Sequence, residues 1–301
     1  MRFLSLGILV TALCAACAAA TADSSGNQSP TWRLAYASET PGRRGLDVYV
    51  ALVPGGRPRL VAGVAGRDDF SPAWSPNGKL IAFRLNPVRG DVSDIMVVPA
   101  SGGQPRNLTK SPAVADWSPA WSPDGLSIAF FSTRAGGRDI WTMRRDGTHK
   151  LRLTDDAGLN EYPAWSPDGT RIAFQTARVG EFEIFVMSSD GREQRNLTRH
   201  SARDQWAAWS PDGTWIAFMS TRDGSEDVFV TRPDGTGVRN VTRTPRLEES
   251  HPSWSPTGEL TFTRHAETGP IGLWAVEPDG RNARRLRTVA EPVFAYDWAP
   301  K

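Results

Sequence analysis

The sequence predicts an all-β protein, a six-bladed β-propeller of four-stranded antiparallel blades. Three observations carry the prediction. A Trp-Ser-Pro motif or near match recurs at Trp74, Trp121, Trp165, Trp209, Trp254 and Trp298, with gaps of 47, 44, 44, 45 and 44 residues. Each repeat holds two turn pairs containing glycine, such as Asp124-Gly125 and Asp146-Gly147. Between the turns, apolar residues alternate large-small-large, as in Ile128-Ala129-Phe130. A repeat of this length with no helical period reads as one propeller blade of four short strands.

Along the chain, the N-terminus comes first. Arg2, an apolar stretch from Phe3 to Val10, and small residues ending in Ala20-Thr21-Ala22 have the pattern of an export signal. Two readings stand: a secretory signal over residues 1–22, or a lipoprotein signal over 1–16 with Cys17 as the lipidated residue. In the second, Ala15 and Ala16 suit cleavage, whereas Cys14 stands where a Leu-like residue is usual. The polar segment Asp23 to Pro30 reads as part of a flexible tether over 23–31, leaving 32–301 for the propeller. Cys14 and Cys17 are the only cysteines, so the domain is expected to have no disulfide, cysteine-ligated zinc or cysteine nucleophile. Thirty-five Lys plus Arg against 33 Asp plus Glu leave a net charge of +2 over 301 residues. That balance provides no footprint for nucleic acid.

The best-formed repeat, Pro119 to Thr154, resolves into four strands. The first ends at Ala-Trp-Ser, the second is Ser127 to Ser132, the third Asp139 to Met143 and the fourth Lys150 to Thr154. The first turn recurs as Asn77-Gly78, Asp168-Gly169, Asp212-Gly213 and Thr257-Gly258. The second recurs as Gly102-Gly103, Asp190-Gly191, Asp234-Gly235 and Asp279-Gly280. Strands apolar on both faces must be covered on both, which sheets stacked around an axis achieve. The motif tryptophans are expected between blades. Trp32 to Val61 supplies three strands with no first strand before them, and Phe294 to Lys301 supplies a first strand with nothing after it. The two ends are therefore expected to build one blade together.

Repeats reading P-A-W-S-P-D-G, I-A-F, a D-I-W-like strand, D-G and N-L-T resemble the TolB-type propeller repeat over residues 32 to 301. The resemblance implies a stand-alone exported propeller. Neither the N-terminal α/β domain of TolB nor the hydrolase domain of prolyl oligopeptidase-type enzymes is expected here.

Residues that recur are expected to be scaffold, and function to lie where repeats differ. The sequons at Asn107, Asn196 and Asn240 share one strand position and read as structural. Asp47, Asp94, Asp139, Glu183 and Asp227 recur at the start of the third strand; with Arg134, Arg178 and Arg222 on the preceding strand they suggest repeated local ion pairs or turn hydrogen bonds. Arg281, Arg284, Arg285 and Arg287 read as a solvated edge strand.

In a four-stranded meander the Asp-Gly turns share one end. The inter-blade loops share the other and surround one mouth of the central channel. Asp69, Asp116, Asn160, Asp204, Glu249 and Val293 stand five residues before each motif Trp. They suit either a cationic partner or capping of their own loops. Three residues before the Trp stand Ser71, Ser118, Tyr162, Trp206, His251 and Ala295, with Phe70, Trp117 and Phe294 one earlier. An aromatic rim of this kind suits a protein surface, or packing over the core. The loops Thr40 to Leu46 and Asn86 to Ser93 break the repeat at the same end.

No G-x-S-x-G, H-E-x-x-H, P-loop or G-x-G-x-x-G occurs, so no cofactor or metal is expected and catalysis draws little support. His149 and His265 fall in a turn and a variable loop. The expected function is a monomeric protein-binding scaffold, periplasmic, secreted or lipid-anchored at the cell envelope. Its partner is expected to be an envelope protein or peptide, and its membrane contact only a lipid at Cys17. The alternative is a lyase or hydrolase acting on a carbohydrate or small molecule, with His200, His251, Asp204 and Glu249 at the channel mouth.

Overall fold

The computed structural model describes residues 32–40, 42, 45–53, 55–63, 66–86, 92–265, 271–288 and 295–300. Residues 1–31, which hold the expected export signal, Cys17 and the expected tether, lie outside the described residues, as do Val293, Phe294 and parts of the loops after Thr40 and Asn86. Blade 1 contains β1 (Trp32–Glu39), β2 (Leu46–Val53) and β3 (Arg59–Ala62). Blade 2 is β4 (Asp68–Trp74), β5 (Leu80–Asn86), β6 (Asp94–Pro99) and β7 (Arg106–Asn107). Blade 3 is β8 (Asp116–Trp121), β9 (Ser127–Ser132), β10 (Asp139–Arg144) and β11 (Leu151–Arg152). Blade 4 is β12 (Asn160–Trp165), β13 (Arg171–Thr176), β14 (Glu183–Ser188) and β15 (Arg195–Asn196). Blade 5 is β16 (Asp204–Trp209), β17 (Ile216–Ser220), β18 (Asp227–Thr231) and β19 (Arg239–Asn240). Blade 6 is β20 (Glu248–Trp254), β21 (Leu260–His265), β22 (Gly272–Val276) and β23 (Arg284–Thr288). The last strand, β24 (Tyr296–Trp298), pairs antiparallel with β1 and completes blade 1 in the order β24-β1-β2-β3.

The core is divided among the blade interfaces. Ile81 and Phe83 face blade 1, whereas Ala82 faces blade 3. Blade 3 repeats this, with Ile128 and Phe130 toward blade 2 and Ala129 toward blade 4. The small residue leaves room for the motif Trp of the following blade: Ala82 shares a cluster with Trp121, Ala173 with Trp209, and Ala217 with Trp254. A sixth cluster joins Leu273 of blade 6 to Trp32, Leu34, Tyr36 and Trp298 of blade 1, so the ring is packed all the way round.

The Trp-Ser-Pro-Asp-Gly turn is stapled by its own polar side chains. Ser122 Oγ donates to Asp124 Oδ1 and accepts from Ser127 N, Leu126 N donates to Asp124 Oδ1, and Gly125 N donates to Ser122 O. Gly125 sits at φ 70°, which the missing Cβ allows.

The fourth strand is shorter than its predicted span, Leu151–Arg152 in place of Lys150 to Thr154. The reason is the repeated threonine. Thr154 Oγ1 accepts from Ile140 N, replacing a ladder carbonyl, and Thr109, Thr198 and Thr242 do the same for Ile95, Ile184 and Val228. The sequon asparagines turn the chain there: Asn107 Oδ1 accepts from the N–H of Thr109 and Lys110 while its Nδ2 donates to Asp94. Asn240 makes the same set with Thr242, Arg243 and Asp227. Asp94, Asp139 and Asp227 thus make the expected hydrogen bonds to the strand and turn that follow, whereas Arg134, Arg178 and Arg222 of the preceding strands have other partners.

Candidate functional site

Five innermost strands carry the same irregularity. In β12 the register with β13 runs Glu161↔Gln175 and then Ala164↔Ala173, so two residues oppose one. Equivalent bulges fall between Phe70 and Ala73, Trp117 and Ala120, Gln205 and Ala208, and Ser250 and Ser253. At each bulge one residue takes a left-handed conformation: Ser71 (φ 50°), Ser118 (49°), Tyr162 (51°), Trp206 (57°) and His251 (51°). That region is unfavourable for bulky side chains, and such strain persists where surrounding structure enforces it. A bulge re-aims a side chain out of the pleat. Here it brings these five residues onto the wall of one central cavity of about 160 Å3, together with Phe70, Ala295 and Tyr296.

The wall is uneven. At the position three before the motif Trp, blades 1 to 3 contribute Ala295, Ser71 and Ser118, whereas blades 4 to 6 contribute Tyr162, Trp206 and His251. The large rings form a continuous arc. Trp117 stacks on Phe131 (4.9 Å), Phe131 meets Tyr162 (5.5 Å), Tyr162 meets Trp206 edge to face (6.4 Å), and Trp206 stacks on His251 (4.3 Å, 17°). Arg84 and Arg138 lie over the Trp117 ring at 5.7 and 5.5 Å. Burial, helped by the charge of His265, pushes the His251 imidazole down to about 4, so it is neutral at physiological pH. Burial also raises the Tyr162 hydroxyl above its ordinary value. Among the described residues the wall is thus uncharged, with its aromatic rings neutral. Trp206 N donates to the buried Gln175 Oε1, and Gln175 Nε2 donates to Glu161, which also binds Arg138.

Asp69, Asp116, Asn160, Asp204 and Glu249 are buried within the blades, and none lines this cavity. Arg134 Nη2 donates to both oxygens of Asp116 (2.8 and 2.9 Å), Arg222 Nη2 to Asp204 (2.8 Å) and Arg264 Nε to Glu249 (2.8 Å). In blade 4 the amide of Asn160 replaces the carboxylate, and Arg178 finds its counter-charge in Asp156 at 2.7 Å. Each arginine also lies over aromatic rings of its own blade, such as Phe218 and Phe229 for Arg222. Burial raises the Asp204 and Glu249 carboxyls despite these partners.

Of the predicted residues, the structure brings Phe70, Tyr162, Trp206 and His251 to the cavity and Trp117 to the arc beside it. The four groups of the alternative enzyme reading do not converge. Asp204 and Glu249 are engaged by arginines, and His200 Nδ1 accepts from Ala202 N. No group of three or more His, Cys, Asp or Glu able to hold a metal is present among the described residues. The bulge and the contribution of Phe131 were missed by sequence reasoning. The prolines at 72, 119, 163 and 252, within what otherwise reads as an inner strand, are the signal that marks the bulge.

The sequence matches the TolB beta propeller domain model over residues 24–160 and 152–291. Among solved structures, TolB from Acinetobacter baumannii is similar at 27% identity and a TM-score of 0.77, over 90% of this chain and 67% of that one. The hydrazine synthase of Kuenenia stuttgartiensis shares the fold at 14% identity and a TM-score of 0.72, over 91% of this chain and 48% of that one. Oligogalacturonate lyase from Vibrio parahaemolyticus does so at 12% and 0.59, over 86% and 75%. At those last two identities the likeness concerns the fold alone. No curated protein matches the sequence significantly.

Proposed function

The chain belongs to the TolB β-propeller domain family, and we propose that it is an exported scaffold that holds an envelope protein or peptide at the bulged mouth of its channel. The observation that carries this reading is the uncharged aromatic arc running from Trp117 to His251. Protein-binding hot spots concentrate in aromatic residues that are already ordered and partly desolvated. Here the bulges hold the rings in place before any partner arrives, so little side-chain entropy is lost on docking. The unevenness of the wall adds shape: a partner side chain fits the gap over Ser71 and Ser118 and packs against the opposite rings.

Site-directed photocrosslinking in intact cells tests the reading. A benzophenone amino acid replacing Trp206 is expected to capture a discrete protein, and one replacing Leu151, exposed on the outer strand β11, is not. Trp117→Ala with Trp206→Ala is expected to weaken binding of the captured protein by roughly 30-fold or more, from the ~2 kcal/mol or greater cost of losing hot-spot aromatics. Capture from position 151 alone would reject the mouth.

Export rests on the pattern of residues 1–22. Mass spectrometry of the mature N-terminus is expected to show either an acylated Cys17 or a start near Asp23. An intact Met1 in the processed protein would overturn export.

A further inference from the structure

Below the mouth the channel continues into a second cavity of about 380 Å3, which shares Pro72, Pro119, Pro163, Ala207 and Tyr296 with the first. It reaches the Asp-Gly-turn end, where Pro123 and Pro211 stand on its rim. Five of the motif tryptophans line it. The indole N–H groups of Trp74, Trp121, Trp165 and Trp209 are inaccessible to solvent, so these four rings present carbon surface to the cavity.

The residue before the motif Trp also lines this wall. It is Ala73, Ala120, Ala164 and Ala208 in blades 2 to 5, Ser253 in blade 6, and Asp297 in blade 1. Among the described residues that line the cavity, Asp297 is the one that carries a charge. Its Oδ2 accepts from Trp74 N at 2.7 Å and its Oδ1 from Trp298 N at 2.9 Å. These are two neutral donors, and no cationic group of the described residues stands against it. An uncompensated carboxylate at the edge of an aromatic cavity is costly unless a cation completes it. Indole surfaces around such a charge favour a cation whose substituents are apolar.

We infer that this cavity binds an organic ammonium group, with Asp297 as its counter-ion and the tryptophan rings packed around its alkyl substituents. The inference concerns the part of the channel beyond the mouth, toward the Asp-Gly turns, and does not rest on the proposed partner site. Burial pushes the Asp297 carboxyl up to about 6, so protonation competes with the ligand on the acidic side.

The test is titration of the full-length protein with choline and with its neutral isostere 3,3-dimethylbutan-1-ol, followed by the indole N–H resonances. Choline is expected to bind about tenfold or more tightly than the alcohol, from the ~1–2 kcal/mol of a partly desolvated cation–aromatic contact together with the carboxylate. Its affinity is expected to fall roughly tenfold from pH 8 to pH 5 as Asp297 takes up a proton, while the alcohol's does not change. Asp297→Asn, and Asp297→Ala, which restores the residue of blades 2 to 5, are each expected to abolish the preference. Trp206→Ala at the mouth is expected to leave it intact. n-Butylammonium, a mimic of the lysine side chain, distinguishes the source: tighter binding than choline assigns a lysine, weaker binding a quaternary amine. Equal binding of choline and the alcohol, failure of both to bind, or a choline preference that survives Asp297→Asn overturns the inference.

Discussion

Removing residues 296–301 is expected to unfold the propeller at temperatures where the full chain is stable, with cooperative melting lost by circular dichroism. The last strand is short, but what it carries is not. Trp298 is buried against Trp32, edge to face at 5.5 Å, and its Nε1 donates to Thr261 Oγ1 of blade 6. The Tyr296 hydroxyl donates to the same oxygen, and Asp297 accepts from Trp74 N of blade 2. Three residues therefore tie blade 1 to both neighbours. Losing buried aromatics costs roughly 3–5 kcal/mol each, and two such losses approach the whole stability of an ordinary domain, about 5–15 kcal/mol. The deletion also bares the inner edge of β1, a template for pairing with another chain. Trp298→Ala alone is expected to lower the melting temperature while leaving a cooperative transition. An unchanged melting temperature after the deletion would mean that the ring does not depend on its seam.

The fold was legible because a propeller repeats its physics. Ile128, Ala129 and Phe130 recur in kind because every interface needs a large face, a small face and a tryptophan to fill the gap. The seam was legible because the first blade lacked one strand and the last segment supplied one. The site was only half legible. Periodicity marked the position three before the tryptophan as individual, yet alternation cannot show which way a side chain points once a bulge interrupts the pleat. Asp116 and Tyr162 stand at repeat positions only two residues apart, and the bulge sends one into the blade and the other onto the channel wall. The pairing of Arg134 with Asp116, and not with Asp139, was hidden for a related reason. Both acids flank the strand that precedes the arginine's loop, and only three-dimensional register separates them. Phe131 was hidden because it stands one residue beyond the recurring Ile-Ala-Phe pattern of the second strand, where nothing in the repeat points to the channel.

Arg222→Ala is expected to be among the most damaging single changes, because it leaves the Asp204 carboxylate buried without its cation. The Asp204 side chain is 0% exposed and that of Arg222 12%, so water does not replace the lost ion pair. Breaking a buried pair from one side costs roughly 3–5 kcal/mol. Asp204→Asn, which copies what blade 4 does at Asn160, is expected to cost less, and Arg222→Met with Asp204→Leu less than Arg222→Ala alone. The pH dependence separates charge from packing. Burial already holds the folded Asp204 carboxyl above its ordinary value, with Arg222 opposing the rise. Without Arg222 it rises further, so the folded variant binds a proton where the unfolded chain has released one. A carboxyl raised by folding favours the folded state below its unfolded pKa, and that contribution is lost as pH climbs through the folded value. The deficit of Arg222→Ala, measured by urea unfolding, is therefore expected to be larger at pH 8 than at pH 5. A deficit of equal size at both would assign the effect to the guanidinium packed over Phe218 and Phe229, and the carboxylate would then have no part in it.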